Sequence, residues 1–183
     1  MRTVRVNKQL FHEKPAACGR LEKEMAVYDL LDKLQISYSG IDHDAAATAD
    51  DCIEIESLLG IEVYKNLFLR NESRTAFYLL VMPSIKRFVT KHVSKQIGSS
   101  RLSFGEPEYL ERFLNITPGS VSILGLMYDR EHRVRLLMDR EIYESAYFGC
   151  HPCINTTSLK MNTSDILHKF LPHTGHQPTV VDL

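Results

Sequence analysis

The chain has 183 residues, 44% apolar and 25% charged, with 22 basic against 23 acidic side chains and a net charge of -1. That length suits one domain, residues 1–183, with a sizeable core. The near-neutral balance excludes a whole-protein field that steers a polyanion, so any nucleic-acid contact must be a local patch. No stretch approaches the roughly 20 apolar residues of a membrane span, and the start MRTVRVNKQLFHEK lacks a signal-peptide core. Four cysteines do not make a disulfide scaffold. The expectation is a cytoplasmic protein, monomer favoured, with no membrane partner.

Residues 1–18 read as extended or irregular. RLEKEMAVYDLLDKLQI predicts an amphipathic helix, because Leu21, Met25, Tyr28, Leu31 and Leu34 recur at spacings of three and four. YSGIDHDAA reads as a short strand and its exit. TADDCIEIESLLG predicts a second helix, with Thr48 as N-cap, Asp50 and Asp51 at the positive end of the dipole, and Gly60 at the C-terminus. In YKNLFLRNESRTAFYLLVMP two nearly continuous apolar runs flank a polar turn, which predicts a hairpin in the centre of a sheet.

PSIKRFVTKHVSKQIG predicts a third helix, capped by Ser84, with Ile85, Phe88, Val89, Val93 and Ile97 as its buried stripe and Gly98 at its end. Its cations Lys86, Arg87, Lys91 and Lys95, with Arg101 just beyond, face no acid between Pro83 and Gly105. EPEYLERFLNI predicts a short helix with Pro107 in its first turn. PGSVSILGLMYD reads as a turn entering a strand, HRVRLLMD as a second strand, and DREH as the turn between them. YESAYFGCHP and NTTSLKM read as extended, followed by a helix at TSDILHKFL. The tail PHTGHQPTVVDL carries breakers and reads as peripheral. Helices alternate irregularly with hairpins, without a βαβ rhythm. The fold class is α+β, a mixed or antiparallel sheet wrapped by helices.

FGCHPCINTTS, residues 148–158, concentrates chemistry-bearing side chains. Zinc needs about four ligands, and the next pair after Cys150 and Cys153 is His173 and His176, separated from Cys153 by a gap of 19 residues and set in a Pro/Gly-rich tail. A redox dithiol belongs at a helix N-terminus, whereas INTTSLKM reads as strand. Packing of both cysteines is the remaining reading. His151 precedes a proline, which holds it extended and fixes the direction of its imidazole. Asn155 and Thr156 add hydrogen-bonding groups that serve either a ligand or the loop's own backbone.

Three segments in order, KNLFLRN at 65–71, PGSVSILGLMYDREHRV at 118–134 and HPCINTTSL at 151–159, resemble the YbaK/ProX family of aminoacyl-tRNA editing domains, in its prolyl-tRNA-synthetase-associated branch. The resemblance runs from about Arg20 to Leu171 and includes LSFGEPEYLERFL and DREI. It implies one α/β domain with a mixed, barrel-like sheet surrounded by helices. It implies hydrolysis of the ester between a wrong amino acid and the terminal ribose of tRNA, with alanine on proline tRNA as the expected substrate. It calls for no cofactor, no metal and no covalent enzyme nucleophile. It makes aminoacylated tRNA the partner and prolyl-tRNA synthetase a candidate second one.

By the same resemblance, Lys65 matches the family's key lysine, which anchors the terminal phosphate or ribose, and Asn66 beside it hydrogen-bonds substrate. Gly119, Ser120, Val121 and Ser122 match a glycine loop whose N–H groups face the ester. The family's loop carries proline where this chain has Ile123. His151 matches the histidine bordering the amino-acid pocket, to orient substrate or water. Leu67, Met138 and the Phe148 region are the candidate pocket walls, and Lys86, Arg87, Lys91, Lys95 and Arg101 the candidate contacts to tRNA phosphates. A non-catalytic sensor that binds aminoacyl-tRNA or an amino acid, and a thiol or zinc protein, are the alternatives.

Overall fold

The computed structural model describes residues 5–45 and 49–183. Helix α1 (Glu22–Lys33) leads to β1 (Tyr38–Asp42), α2 (Ala49–Leu59) and the strands β2 (Lys65–Arg70) and β3 (Phe77–Met82). Then come α3 (Thr90–Gln96), β4 (Ser103–Phe104), α4 (Pro107–Leu114) and a 3₁₀ helix at Ile123–Tyr128. The rest is β5 (Val134–Asp139), α5 (Arg140–Tyr143), β6 (Tyr147–Cys150), β7 (Thr157–Asn162), a helical run over 163–174, and β8 (Thr179–Val181). Thr48, read as the cap of α2, lies outside the described residues.

The strands form two sheets, so the barrel-like reading is corrected to a layered one. One is antiparallel with order β1-β7-β6, and the other is mixed with order β4-β2-β3-β5-β8. The inner faces of both meet in one core, where Tyr38, Phe148, Leu159 and Met161 oppose Phe77, Leu79, Val81 and Leu136, with α1 and α4 closing the sides. The alternate residues of β3, Tyr78, Leu80 and Met82, face the other way and are covered by Val93 of α3. Every residue of β3 is thus buried, which is why its sequence is apolar without alternation. On the far side α2 places Ile55 and Leu59 over Ile41 and Val63.

Five expectations are corrected. The third helix begins at Thr90, not after Ser84, and Ile85 is 88% exposed. Tertiary bonds take the backbone of residue 84 instead: its N–H meets the Glu62 carboxylate and its carbonyl accepts from Lys65. The run after Ser122 is a 3₁₀ helix rather than a strand. Ile123, Leu124, Gly125 and Leu126 are all buried, and a continuous buried run carries no period to separate the two. With that strand absent, β5 is no hairpin partner of it, and pairs in parallel with β3. The tail is not peripheral, because β8 pairs in parallel with β5 and buries Val181. On α1, Leu21 is exposed, and the buried face is Glu24, Val27, Tyr28, Leu30 and Leu31.

Candidate active site

Two loops converge beside α1. Gly119, with φ of 87°, reverses the chain after Pro118 and delivers Ser120 to Ser122 into the 3₁₀ helix. The second loop leaves β6 at Cys150 and enters β7 at Thr157. Ser122 ties them: its hydroxyl donates to the His151 carbonyl at 2.5 Å and accepts from Leu124 N at 3.2 Å. Ser122 is fully buried, so its hydroxyl clamps the loops together rather than meeting a substrate. Ser120 donates its N–H to Thr117 O at 3.2 Å, while Gly119 and Val121 keep N–H groups with no acceptor among the described residues. Gly119 is exposed, and a Cβ there would stand 3.8 Å from Asn155 Nδ2.

A cavity of about 200 Å³ lies at this junction, lined by Leu21, Lys23, Glu24, Thr117, Ser120 and the Ile154–Thr156 turn. Ser120, Asn155 and Thr156 are therefore brought together as the sequence suggested. Lys23, Glu24 and Thr117 are additions. Glu24 lies between the apolar positions that the periodicity assigns to the buried face of α1, yet it is 2% exposed. Arg20 binds it and also bonds Asp42 (Nη2 to Oδ2, 2.5 Å), while Thr157 Oγ1 donates to Asp42 at 2.7 Å. Burial opposes the Arg20 charge, but the two carboxylates outweigh it and push its pKa up. This network fixes α1 against the start of β7 and so shapes one wall. The only sequence signal was the i, i+4 spacing of Arg20 and Glu24.

His151 is half-buried. Its Nδ1 lies 3.0 Å from Thr157 O. A carbonyl only accepts, so Nδ1 carries the proton and Nε2 keeps a lone pair. Burial lowers its pKa below the ordinary 6.5 against the Thr157 bond, and His43 lowers it further. The imidazole is therefore neutral at pH 7, and Nε2 can accept a proton from water.

Lys65 opens β2 on the outer face of the larger sheet, exposed, with Nζ donating to Ser84 O at 2.9 Å. Among the described residues no carboxylate pairs with it. Tyr64 N donates to Gly149 O at 3.1 Å, a junction that sets Lys65 one residue from β6 and His151 two residues beyond Gly149. Asn66 donates Nδ2 to Tyr64 O, leaving a buried Oδ1 with no partner among the described residues. The suggested pocket walls are not brought together. Leu67 packs with the outer cluster, whereas Met138 and Phe148 are fully buried in the central one, and none of them lines the cavity beside the loops.

Of the basic residues, Lys86 is neutralised by buried Asp139 (3.0 Å) and by Glu141 (2.8 Å). Arg87, Lys91, Lys95 and Arg101 are exposed, and Lys91 and Arg101 border a shallow cavity of about 430 Å³ with Thr90 and Ser94. Cys150 and Cys153 are fully buried in the central core. Burial pushes both thiols up, Cys153 to about 12, which disfavours the thiolate that redox or metal chemistry needs. Among the described residues no cluster of three His, Cys, Asp or Glu could hold a metal ion, and no helix is long and apolar enough to cross a membrane.

The profile of the aminoacyl-tRNA editing domain matches residues 43–169. Prolyl-tRNA editing protein ProX of Acetoanaerobium sticklandii is 28% identical over 163 residues, covering 89% of this chain and 99% of the relative. Prolyl-tRNA synthetase associated domain-containing protein 1 of Danio rerio is 27% identical over 168 residues, covering 91% and 90%. A crystal structure of a proposed trans-editing enzyme for prolyl tRNA synthetase superposes with a TM-score of 0.65 at 14% identity, over 89% of this chain and 98% of that one, and shares the fold. The profile spans more than half of the sequence, and the chain belongs to the aminoacyl-tRNA editing domain family.

Proposed function

We propose that the protein is a trans-editing hydrolase that deacylates mischarged aminoacyl-tRNA, with alanyl-tRNA(Pro) as its substrate. The observation that carries this reading is the Ser122–His151 clamp, which ties the glycine loop with its free N–H groups to the loop of the neutral His151, the two loops whose Ser120 and Ile154–Thr156 border one small cavity. The similar protein from Acetoanaerobium sticklandii, named as a prolyl-tRNA editing protein, supports it.

An aminoacyl ester is already activated, so catalysis reduces to placing a water and stabilising the oxyanion. The water attacks the ester carbonyl, with His151 Nε2 orienting it and accepting its proton. Negative charge develops on the carbonyl oxygen, where the N–H groups of Gly119 and Val121 can donate. The tetrahedral intermediate collapses by breaking the bond to the ribose oxygen, which takes a proton from the imidazolium or from the neighbouring ribose hydroxyl. The products are the free amino acid and uncharged tRNA. Lys65 supplies an uncompensated positive charge for the terminal phosphate.

A cavity of about 200 Å³ suits a small side chain. Selecting alanine over proline by clash is the direction in which a pocket discriminates well, since attraction yields only about 1–3 kcal/mol per methylene. The exposed Arg87, Lys91, Lys95 and Arg101 are the cations available to acceptor-stem phosphates, and such contacts position tRNA without reading its sequence. Prolyl-tRNA synthetase is the candidate protein partner. Incubation with alanyl-, cysteinyl- and prolyl-tRNA(Pro), with and without chelator, tests the reading. Chelator-resistant loss of the alanyl ester that fails in Lys65→Ala supports it. Binding without turnover of any ester replaces it with an aminoacyl-tRNA sensor.

A further inference from the structure

We propose that His43 is a positioning residue for His151, acting through Ser158. The proposal rests on the reading that His151 presents Nε2 to the substrate or its water.

His43 directly follows β1 and is 7% exposed. Its backbone is pinned by an N–H bond to Thr156 O at 2.9 Å. Its Nδ1 lies 2.8 Å from Asp44 O, and its Nε2 lies 2.9 Å from Ser158 Oγ. The Asp44 carbonyl can only accept, so His43 carries its proton on Nδ1 and its Nε2 must accept. The Ser158 hydroxyl is therefore drawn towards His43 as a donor. Ser158 Oγ also lies 3.4 Å from His151 Nδ1, and with its hydrogen committed it can only accept there. The order is thus fixed from end to end: His151 Nδ1–H to Thr157 O and Ser158 Oγ, Ser158 O–H to His43 Nε2, His43 Nδ1–H to Asp44 O.

The consequence lies in what Ser158 is prevented from doing. A serine hydroxyl rotates to suit its neighbours. Released from His43, it could turn and donate to His151 Nδ1. That interaction favours the other tautomer, with the proton on Nε2, and removes the lone pair that the hydrolysis uses. Thr157 O opposes the switch but meets a competitor of similar strength. His43, 115 residues from Ser158 in sequence, removes the competitor. The two rings stand 6.3 Å apart between centroids, so His43 reaches His151 by way of the serine rather than by ring contact.

The test uses the full chain with ring-¹⁵N histidine, reading the His151 tautomer by NMR alongside steady-state kinetics on alanyl-tRNA(Pro). In His43→Phe the His151 Nε2 signal moves towards the protonated form, and kcat falls on the order of tenfold, less than the roughly 100-fold or more lost with a proton-transfer group itself, with KM within about twofold. His43→Gln keeps an acceptor for Ser158 and behaves as wild type. Ser158→Ala alone leaves tautomer and kcat unchanged within about twofold, and adding it to His43→Phe restores both. A purely structural role for His43 gives no such recovery. His43→Leu replaces the phenylalanine variant should that one not fold. An unchanged tautomer in a folded His43→Phe or His43→Leu, or a double variant no better than the single, overturns the proposal. Should wild type hydrolyse no ester, the deacylase reading falls, while the tautomer series still decides the positioning role.

Discussion

Gly149 sits where the two sheets touch, and Gly149→Ala tests whether that junction is as tight as it looks. A Cβ on residue 149 would stand 2.2 Å from Glu62 O and 3.2 Å from Val63 Cα. Both neighbours are backbone, so no side chain can swing aside. Ordinary contact begins at 3.4 Å, so the strands must part by about 1 Å, enough to forfeit much of their dispersion contact. The Tyr64 N to Gly149 O bond, 3.1 Å long, breaks with them. Overpacking costs about 1–3 kcal/mol and the lost hydrogen bond about 1 kcal/mol, for a total of about 2–4 kcal/mol. Urea unfolding reads this as a lower midpoint at an unchanged slope. Deacylation falls as well, since Lys65 and His151 take their places from this junction. Gly98→Ala is the control. Gly98, unlike Gly149, has a positive φ, of 63°, but nothing lies within 4 Å of its would-be Cβ, so the substitution there costs only about 1 kcal/mol of backbone strain. Equal stability of Gly149→Ala and wild type would refute the close approach and the argument built on it.

Further outcomes follow from the same geometry. Ile123 occupies the first turn of the 3₁₀ helix, where an N–H needs no intrahelical acceptor, and Ser122 before it is extended (φ -146°, ψ 145°), as a residue before proline requires. Ile123→Pro therefore folds, changes stability by no more than about 1 kcal/mol as reduced chain entropy offsets lost packing, and retains hydrolysis. Collapse of its melting transition would show the loop to be differently built. Burial lowers the pKa of both His43 and His151 below 6.5, so the unfolded chain binds protons that the folded chain refuses. That stability is complete above 6.5 and drains away as pH falls towards the folded values. Urea midpoints should decline as pH falls below about 6.5, less steeply in His43→Gln, and equal slopes would contradict the assignment. Cys18 is exposed while Cys150 and Cys153 are buried. A thiol reagent should label Cys18 at once and the buried pair only on unfolding, and rapid native labelling of Cys150 or Cys153 would revive a role for them.

Much of this was legible before the fold. Periodicity located α1, the β2–β3 hairpin and α4, because in each the sequence pattern and the local backbone agree. The failures share a cause. Ser84–Val89 has helical spacing, but Lys65, Glu62 and Asp139 claim its backbone or its lysine from elsewhere in the chain. Ile123–Leu126 has no period because it is buried on all sides. The tail's three-residue strand is held by a partner some 42 positions away, as Leu137 pairs with Thr179. At the candidate site, Gly119, Ser120 and His151 entered through the family resemblance, and local signals alone gave only a turn at the glycine and a fixed direction for the imidazole before its proline. Glu24, Arg20 and His43 were not, because each is recruited by contacts between distant segments. Ser122 was legible as a loop residue, but its clamping role depends on a carbonyl 29 residues on.

The most direct measurement is single-turnover hydrolysis of alanyl-tRNA(Pro) in the presence of a chelator, by wild type, Lys65→Ala and His151→Ala. The account predicts rapid release of alanine by wild type, little release from prolyl-tRNA(Pro), and a fall of about 100-fold or more in each variant, as expected when a positioned acid–base or anchoring group is removed. Intact alanyl ester with wild type despite tRNA binding, or turnover that the chelator abolishes, would contradict it.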